Sequence, residues 1–163
     1  MIRYRNLFQG DLLIGMNREK GKEDKMKIMV CFDNSAESKN ALREAAQLAK
    51  AFQGEVLVVT SLAADQQYYP KLIEPYENNL KEAQEFMEKL SVPCQTKIAY
   101  RDVDSNVGEA LAEFAKEENV DKIVVGIRNR SKLGKLFLGS KAQTILLMGH
   151  CPVVGVKKEN SEV

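Results

Sequence analysis

The sequence predicts an α/β fold in which a doubly wound, five-stranded parallel sheet carries helices on both faces, as in Rossmann-like domains. Short apolar runs rich in Val and Ile recur along the chain, and their continuous apolar character is typical of strands buried on both faces. Segments with helical spacing separate these runs, and such alternation implies right-handed crossovers and a parallel sheet. The expected strand order is 3-2-1-4-5.

Five apolar runs are the expected strands. Each is short, as buried strands usually are, and each is separated from the next by a turn signal or a helical segment. They are Lys27 to Phe32, Val56 to Ser61, Gln95 to Tyr100, Lys122 to Ile127 and Pro152 to Val156.

The first two helices follow from capping signals and from apolar spacing. Asn34 with Glu37 three residues later resembles a capping box, and Gly54 is expected to end the first helix. The second helix is expected to end before Pro93. The inward stripes are Ala41, Leu42, Ala45, Leu48, Ala49 and Phe52 in the first helix, and Ile73, Tyr76, Leu80, Ala83, Met87 and Leu90 in the second.

The last two helices also begin at capping signals. The third is expected near Asn106 with Glu109 at the box position, although Gly108 weakens it slightly. The fourth is expected to start at Ser140, with Gln143 three residues later, and to stop at Gly149. Their inward residues are Val107, Leu111, Phe114 and Ala115 in the third helix, and Ala142, Ile145 and Leu146 in the fourth.

Length and composition limit the function classes. The 163 residues suit one domain, expected at 26–158, with an N-terminal extension at 1–25 and a short tail at 159–163. Lys and Arg number 24 against 23 Asp and Glu, which disfavours a dedicated nucleic-acid binder. Three separated cysteines and one histidine disfavour a disulfide framework and a Cys/His zinc site. No apolar run is long enough to span a bilayer, so a cytoplasmic location is expected.

The strand order points to a ligand site. Ligands of open α/β sheets bind beyond the carboxyl ends of the strands where the order reverses, here between strands one and four. Asp33 directly follows strand one. Its carboxylate could accept hydrogen bonds from the start of the first helix or could face the crevice and bind a ligand, and the sequence does not decide between these roles.

The connection after strand four carries the strongest functional signal. Most such connections take about 2 to 6 residues, whereas this one runs from Ile127 to Gly139. No acidic residue occurs between Ile127 and Gly149, and five cations do, namely Arg128, Arg130, Lys132, Lys135 and Lys141. Gly139 and Ser140 open a helix whose N–H groups favour an anion. The simpler interpretation is that Ser140 only caps the helix and the cations are solvated.

Several familiar signatures are absent from the sequence. There is no G-x-x-x-x-G-K-[ST] and no G-x-G-x-x-G, so standard NTPase and dinucleotide interpretations fail. No Ser/His/Asp set, paired catalytic carboxylates or metal-ligand cluster is evident, and His150 is expected to be structural. We therefore predict no catalytic residues and no protein-borne metal site.

At this point the residues resemble the universal stress protein family. Nucleotide-binding members carry G-x2-G-x9-G-[ST] between the fourth strand and the last helix, and this chain has Gly126-x2-Asn129-x9-Gly139-Ser140. The spacing is kept, and Asn129 replaces one glycine. Asn tolerates a left-handed backbone better than other non-glycine residues do. The resemblance extends from Met26 to Lys157 and includes Asp33 and Cys151-Pro152-Val153-Val154.

The resemblance implies an adenine-nucleotide site and a homodimer. Cys31, Asp33 and Ser61 or Thr60 would lie by the adenine and ribose. The phosphate loop would include Gly126, Arg128, Asn129, Arg130, Gly139 and Ser140, with Ser131, Lys132 and Lys135 as supplementary contacts. ATP would bind with a divalent cation, Mg or Mn, and two copies would pair through Pro152 to Val156.

The expected function is regulatory binding of ATP between strands one and four. Two alternatives remain open at this point. One is a slow ATP hydrolase, for which the sequence offers cations but no convincing base. The other is a nucleotide-free dimer that acts as an interaction protein, which the Asn129 replacement favours.

Overall fold

A computed structural model of the chain describes residues 25–128 and 138–157. Its five strands form one parallel sheet in the order β3-β2-β1-β4-β5, so the predicted α/β class and strand order are confirmed. The strands are β1 (Lys27–Cys31), β2 (Glu55–Ala63), β3 (Cys94–Arg101), β4 (Lys122–Ile127) and β5 (Val153–Lys157).

Four α-helices connect the strands, as the apolar spacing predicts. They are α1 (Ala36–Phe52), α2 (Pro70–Lys89), α3 (Val107–Glu117) and α4 (Ser140–Met148). A short 3₁₀ helix, Ala64–Tyr68, lies between β2 and α2 and has no counterpart in the sequence prediction. No helix within the described ranges is both long and apolar enough to cross a membrane.

Helices cover both faces of the sheet, and the side chains of β1 contribute to a hydrophobic core on each face. Ile28 and Val30 belong to a core shared with α1 and α2, whereas Met29 and Cys31 belong to a core shared with α3 and α4. Successive side chains of a strand point to opposite faces, so a continuous apolar run supplies both cores. This is why β1 lacks the polar and apolar alternation of a half-exposed strand.

The start and the end of α1 each differ by one residue from the sequence prediction. Ser35, not Asn34, is the N-cap residue, and its side chain accepts a hydrogen bond from the Ser38 N–H. Asn34 instead has φ 61°, a left-handed conformation that Asn tolerates. Gln53 takes the left-handed C-cap position, while Gly54 leaves room for the carbonyl oxygen of Met26, which a Cβ at this position would overlap.

Three side chains predicted to face inward are exposed. Phe52 is the last residue of α1, Tyr76 lies near the start of α2, and Leu146 belongs to the short α4. In α4 the buried residues are Ala142 and Ile145.

Two glycines allow the elements around the carboxyl end of β4 to approach closely. A Cβ at Gly126, in β4, would lie 2.7 Å from the backbone carbon of Glu37 in the first turn of α1. A Cβ at Gly108, in α3, would lie 2.9 Å from the carbonyl oxygen of Lys141 in α4. Gly108 is therefore needed for helix contact, at the small cost in helix propensity that the sequence analysis noted.

Candidate functional site

A pocket lies at the predicted reversal between β1 and β4. The described residues enclose about 100 Å³ there. The lining comes from the end of β1, the start of α1, the end of β4 and the first turn of α4. These residues are Cys31, Asp33, Ser35, Ser38, Gly126, Arg128, Gly139, Ser140, Lys141 and Ala142.

The two carboxylate oxygens of Asp33 face different partners. Oδ1 accepts hydrogen bonds from the backbone N–H of Ser35, at 3.2 Å, and from the Ser35 hydroxyl. Oδ2 faces the pocket, where Lys141 Nζ lies at 2.8 Å and Arg128 Nη2 at 3.4 Å. Asp33 thus fills both roles that the sequence left open, one oxygen fixing the start of α1 and the other facing the crevice.

The cations of the pocket are paired within the protein. Arg128 also lies beside the α1 carboxylate of Glu37, with Nε 3.8 Å from Oε2. The side chains of Asp33, Arg128 and Lys141 remain 34%, 47% and 30% exposed, so solvent reaches all three. Within the described residues, two carboxylates and two cations therefore balance in charge around the pocket.

The ionisation of Asp33 follows from these contacts. Burial alone acts to raise the pKa of Asp33, but the hydrogen bonds from Lys141 and Ser35 and the positive charge of Lys141 outweigh it. The pKa of this carboxyl is therefore held well below its usual range. Asp33 is an anion at neutral pH, and a carboxylate with so low a pKa is a poor general base.

Cys31 contributes an apolar floor to the pocket and not a reactive group. The side chain is 2% exposed and lies in the core formed with α3 and α4. Burial raises the pKa of the Cys31 thiol to about 12. Because the thiolate is the nucleophilic form, this cysteine is unreactive at neutral pH.

The first turn of α4 closes the pocket from the other side. Gly139 is the N-cap residue and brings no side chain, and its carbonyl oxygen accepts the hydrogen bond from the Gln143 N–H. A Cβ at Gly139 would meet no atom of the described residues within 4 Å, and its φ of −59° is open to any residue. Backbone N–H groups at such a helix start, together with the helix dipole, favour a negative charge.

Six of the nine predicted site residues line this one pocket: Cys31, Asp33, Gly126, Arg128, Gly139 and Ser140. Asn129 and Arg130 lie outside the described residues, as do Ser131, Lys132 and Lys135. Ser61 is not among the lining residues, and its buried Oγ has no hydrogen-bond partner in the described part of the chain.

A second, smaller cavity adjoins the pocket through Asp33. It encloses about 10 Å³, and Thr60 of β2 and Asn79 of α2 contribute to its lining. Thr60 points to the opposite face of β2 from Ser61, because side chains alternate along a strand. Of the two residues offered for the end of strand two, Thr60 is the one that lies with Asp33.

Residues 25–128 and 138–157 contain no group of three or more His, Cys, Asp or Glu side chains placed to hold a metal ion. His150 is engaged elsewhere, with its Nε2 3.0 Å from the Val120 carbonyl oxygen, which agrees with a structural role.

Comparison with known proteins identifies the family. A model described as the universal stress protein family matches residues 26–157. The chain belongs to this family. A universal stress protein of Thermus aquaticus is 32% identical over 136 residues, which cover 80% of this chain and 97% of the relative.

Solved structures of universal stress proteins share the fold. The universal stress protein from Archaeoglobus fulgidus matches with a TM-score of 0.70 at 27% identity, over 81% of this chain and 93% of that one. A structure of the Archaeoglobus fulgidus protein in complex with dAMP matches with a TM-score of 0.64 at 25% identity, over 82% and 97% of the two chains.

The pocket of this universal stress protein also contains three polar residues that the sequence analysis does not select as site residues: Ser35, Ser38 and Lys141. Ser35 and Ser38 belong to the start of α1, where the sequence favours Asn34 as the cap and the structure has Ser35. The sequence analysis includes Lys141 only as one of five cations. Its position directly after Gly139 and Ser140 was the available signal, since it lies in the same helical turn as the motif.

Proposed function

We propose that this universal stress protein binds an adenine nucleotide in the pocket between β1 and β4 and that binding has a regulatory output. The observation that carries the proposal is the convergence of Arg128, Lys141 and the first turn of α4 on one pocket that also contains Asp33. The Archaeoglobus fulgidus relative, solved in complex with dAMP, supports an adenine nucleotide as the ligand class.

The phosphates are proposed to lie against the first turn of α4. The N–H groups of this turn, the side chains of Arg128 and Lys141, and the Ser140 hydroxyl supply donors for phosphate oxygens. Gly139 has open space where a side chain would project, so phosphate can approach the backbone there. Asn129 and Arg130 are proposed to extend the phosphate loop, as their place in the motif implies, and Cys31 is proposed to lie by the adenine and ribose.

The ribose and base are proposed to lie toward Asp33 and the end of β2. Carboxylate Oδ2 can accept hydrogen bonds from ribose hydroxyls or from an amino group once its cation partners move. The Thr60 hydroxyl lies in the cavity on the far side of Asp33, and Ser61 Oγ lacks a partner among the described residues. These polar groups suit the sugar and base end of the ligand.

ATP is the proposed nucleotide, with Mg or Mn bound mainly through its phosphate oxygens. The described residues supply no cluster of side chains that would hold the cation by themselves. Magnesium commonly binds in this way, keeping several waters and using substrate phosphates as ligands.

Gly139→Val tests the proposal. Valine at this position is compatible with the described part of the free protein, where no atom lies within 4 Å of its Cβ, but it occupies the space assigned to phosphate. We expect saturable binding of fluorescent ATP to the wild type, a loss of affinity of about tenfold or more in Gly139→Val, and an unchanged melting temperature.

Two observations control this experiment. Lys81→Gln removes an exposed cation from the middle of α2, away from the pocket, and should leave affinity unchanged. Mass spectrometry of nucleotide released from freshly purified protein identifies the bound species. Absence of saturable binding to the wild type would refute the proposal.

A nucleotide-free interaction protein is the second candidate, and the internal ion pairs favour it. Asp33 and Glu37 already neutralise Arg128 and Lys141, so the described part of the pocket is satisfied without a ligand. Under this alternative, purified protein carries no nucleotide, and Asp33→Asn changes stability but no ligand affinity.

The proposed assembly is a homodimer that pairs through the last strand. β5 lies at one edge of the sheet, and the segment Pro152 to Val156 contains three valines, a composition typical of strands. An edge strand presents backbone groups that can pair with another chain. Two copies of β5 would join their sheets and leave both pockets accessible at the carboxyl ends of the strands.

A further inference from the structure

Lys141 occupies a position that helix electrostatics disfavour. The α1 and α3 helices carry an acidic residue in the first turn, Glu37 and Glu109, and a basic residue in the last, Lys50 and Lys116. This arrangement complements the helix dipole. In α4 the first turn has no acidic residue and contains Lys141, and the last turn has no basic residue. The cation therefore stands beside partly positive backbone N–H groups.

The Asp33 carboxylate compensates for this placement. Lys141 Nζ lies 2.8 Å from Asp33 Oδ2, across the pocket from the end of β1 to the start of α4. The two residues are 108 positions apart, so the contact depends on the assembled fold. Because both side chains are about one-third exposed, solvent screens the pair and the contact can exchange for another.

We propose that Lys141 makes the pocket selective for phosphorylated over unphosphorylated nucleosides. In the free protein Lys141 blocks Asp33 Oδ2, and in the complex it transfers to the anionic group of the ligand. Asp33 then accepts hydrogen bonds from the uncharged part of the same ligand. This inference rests on the nucleotide-binding function proposed above and names the residue that sets its ligand class.

The selectivity follows from what each ligand offers Lys141. A neutral nucleoside can reach Asp33 Oδ2 only by displacing its cation partners, and the Lys141 ammonium group then loses its Asp33 contact beside the positive end of α4. A phosphorylated nucleoside supplies that partner, and a charge-assisted hydrogen bond to phosphate replaces the one lost to Asp33. Lys141 should therefore weaken adenosine binding and strengthen AMP binding.

The variant Lys141→Gln tests both predicted effects of Lys141, on adenosine binding and on AMP binding. Each ligand is titrated by calorimetry against the same preparations of wild type and variant. We expect AMP to bind about tenfold more weakly than to the wild type and adenosine to bind more tightly, so that the two affinities move in opposite directions. Lys141→Arg retains the charge and should keep most of the preference for AMP. Lys81→Gln, which removes an exposed cation from α2, should change neither affinity.

The outcomes distinguish this inference from the function on which it rests. If the wild type binds neither AMP nor ATP, the nucleotide-binding function fails and the inference fails with it. If the wild type binds nucleotide but Lys141→Gln weakens both ligands equally or changes neither, only the inference is overturned. A melting curve for each variant ensures that the compared proteins are folded, and Lys141→Arg supplies the folded comparison if Lys141→Gln does not fold.

Discussion

Gly126 and Gly139 belong to the same motif but have different physical roles. Gly126 lies under the first turn of α1, where a Cβ would come within 2.8 Å of two backbone atoms, one from Glu37 and one from Ser38. Gly139 has no atom of residues 25–128 or 138–157 within 4 Å of where a Cβ would stand. The first glycine is needed by the fold itself, whereas the second leaves room on the pocket side for a ligand.

Alanine should therefore lower the free energy of unfolding at Gly126 and leave it almost unchanged at Gly139. Gly126→Ala forces β4 and α1 apart and should lower the free energy of unfolding by about 1 to 3 kcal/mol, the usual cost of overpacking. Gly139→Ala should change it by no more than about 0.5 kcal/mol. Urea unfolding followed by circular dichroism measures both. Equal stabilities for the two variants would contradict the packing argument.

The residues of the pocket differ in how far the sequence reveals them. Asp33, Gly139 and Ser140 directly follow a strand or open a helix, so local patterns mark them. Lys141 follows Gly139 and Ser140 in the sequence, but its contact in the pocket is an ion pair with Asp33, which is 108 positions away. No local pattern encodes that contact, and only the assembled sheet brings the two side chains together.

Among the secondary-structure elements, some helix starts can be predicted from the local sequence and others depend on the assembled fold. Asn106 caps α3 as predicted, because its Oδ1 accepts hydrogen bonds from the N–H groups of Gly108 and Glu109. For α1 the sequence offers Asn34 and Ser35 side by side, and both are good caps. The left-handed conformation of Asn34 makes Ser35 the cap. When two adjacent residues are equally good N-caps, the tertiary structure decides which of them caps the helix.

The edge strand β5 can be tested through its backbone. The Pro152 carbonyl accepts from the Ile123 N–H, so alternation along the strand points the Gly155 N–H away from β4, toward the free edge. Gly155→Pro removes that donor. We expect Gly155→Pro to weaken the proposed dimer by about tenfold or more in sedimentation experiments.

Gly155→Ala is the matched control for this test. Proline and alanine both add a Cβ against the Ile127 side chain, but alanine keeps the N–H. The alanine variant should therefore dimerise more strongly than the proline variant. A wild type that sediments as a monomer at every concentration, or equal behaviour of the two variants, would count against pairing through β5.

At the scale of the whole molecule, two anionic carboxylates stabilise opposite ends of the sheet. Asp33 lies at the carboxyl end. At the amino end, Glu118 binds Lys97 at 2.7 Å and Lys27 at 3.1 Å. The hydrogen bond from Lys97 is the main reason that the pKa of Glu118 is lowered, burial opposes it, and Lys27 adds to it. Both groups bind a proton less readily in the folded state than in the unfolded chain.

This difference predicts a loss of stability in acid. A carboxyl whose pKa is lowered by folding stabilises the protein fully above its unfolded pKa, about 4, and loses that contribution as the pH falls toward the folded value. The free energy of unfolding should therefore decline below about pH 5. Asp33→Asn should flatten the decline, as measured by urea unfolding between pH 3 and 7. An identical slope in the variant would contradict the role given to Asp33.

The global architecture was the part most completely predicted from the sequence. Continuous apolar strands, helical spacing and the handedness rule leave few ways to arrange five strands and four helices. The sequence does not predict the exposure of Phe52 and Leu146, because apolar spacing indicates which residues could be buried and not how far each helix extends over the sheet.

The described walls of the pocket come from two distant parts of the chain, residues 31–38 near its start and residues 126, 128 and 139–142 near its end. During synthesis, a ribosome releases the first stretch long before it has made the second. A growing chain therefore cannot hold the ligand until translation of the domain is nearly complete. Ligand binding can stabilise the completed, folded domain through mass action, but it cannot guide the early steps of folding during synthesis.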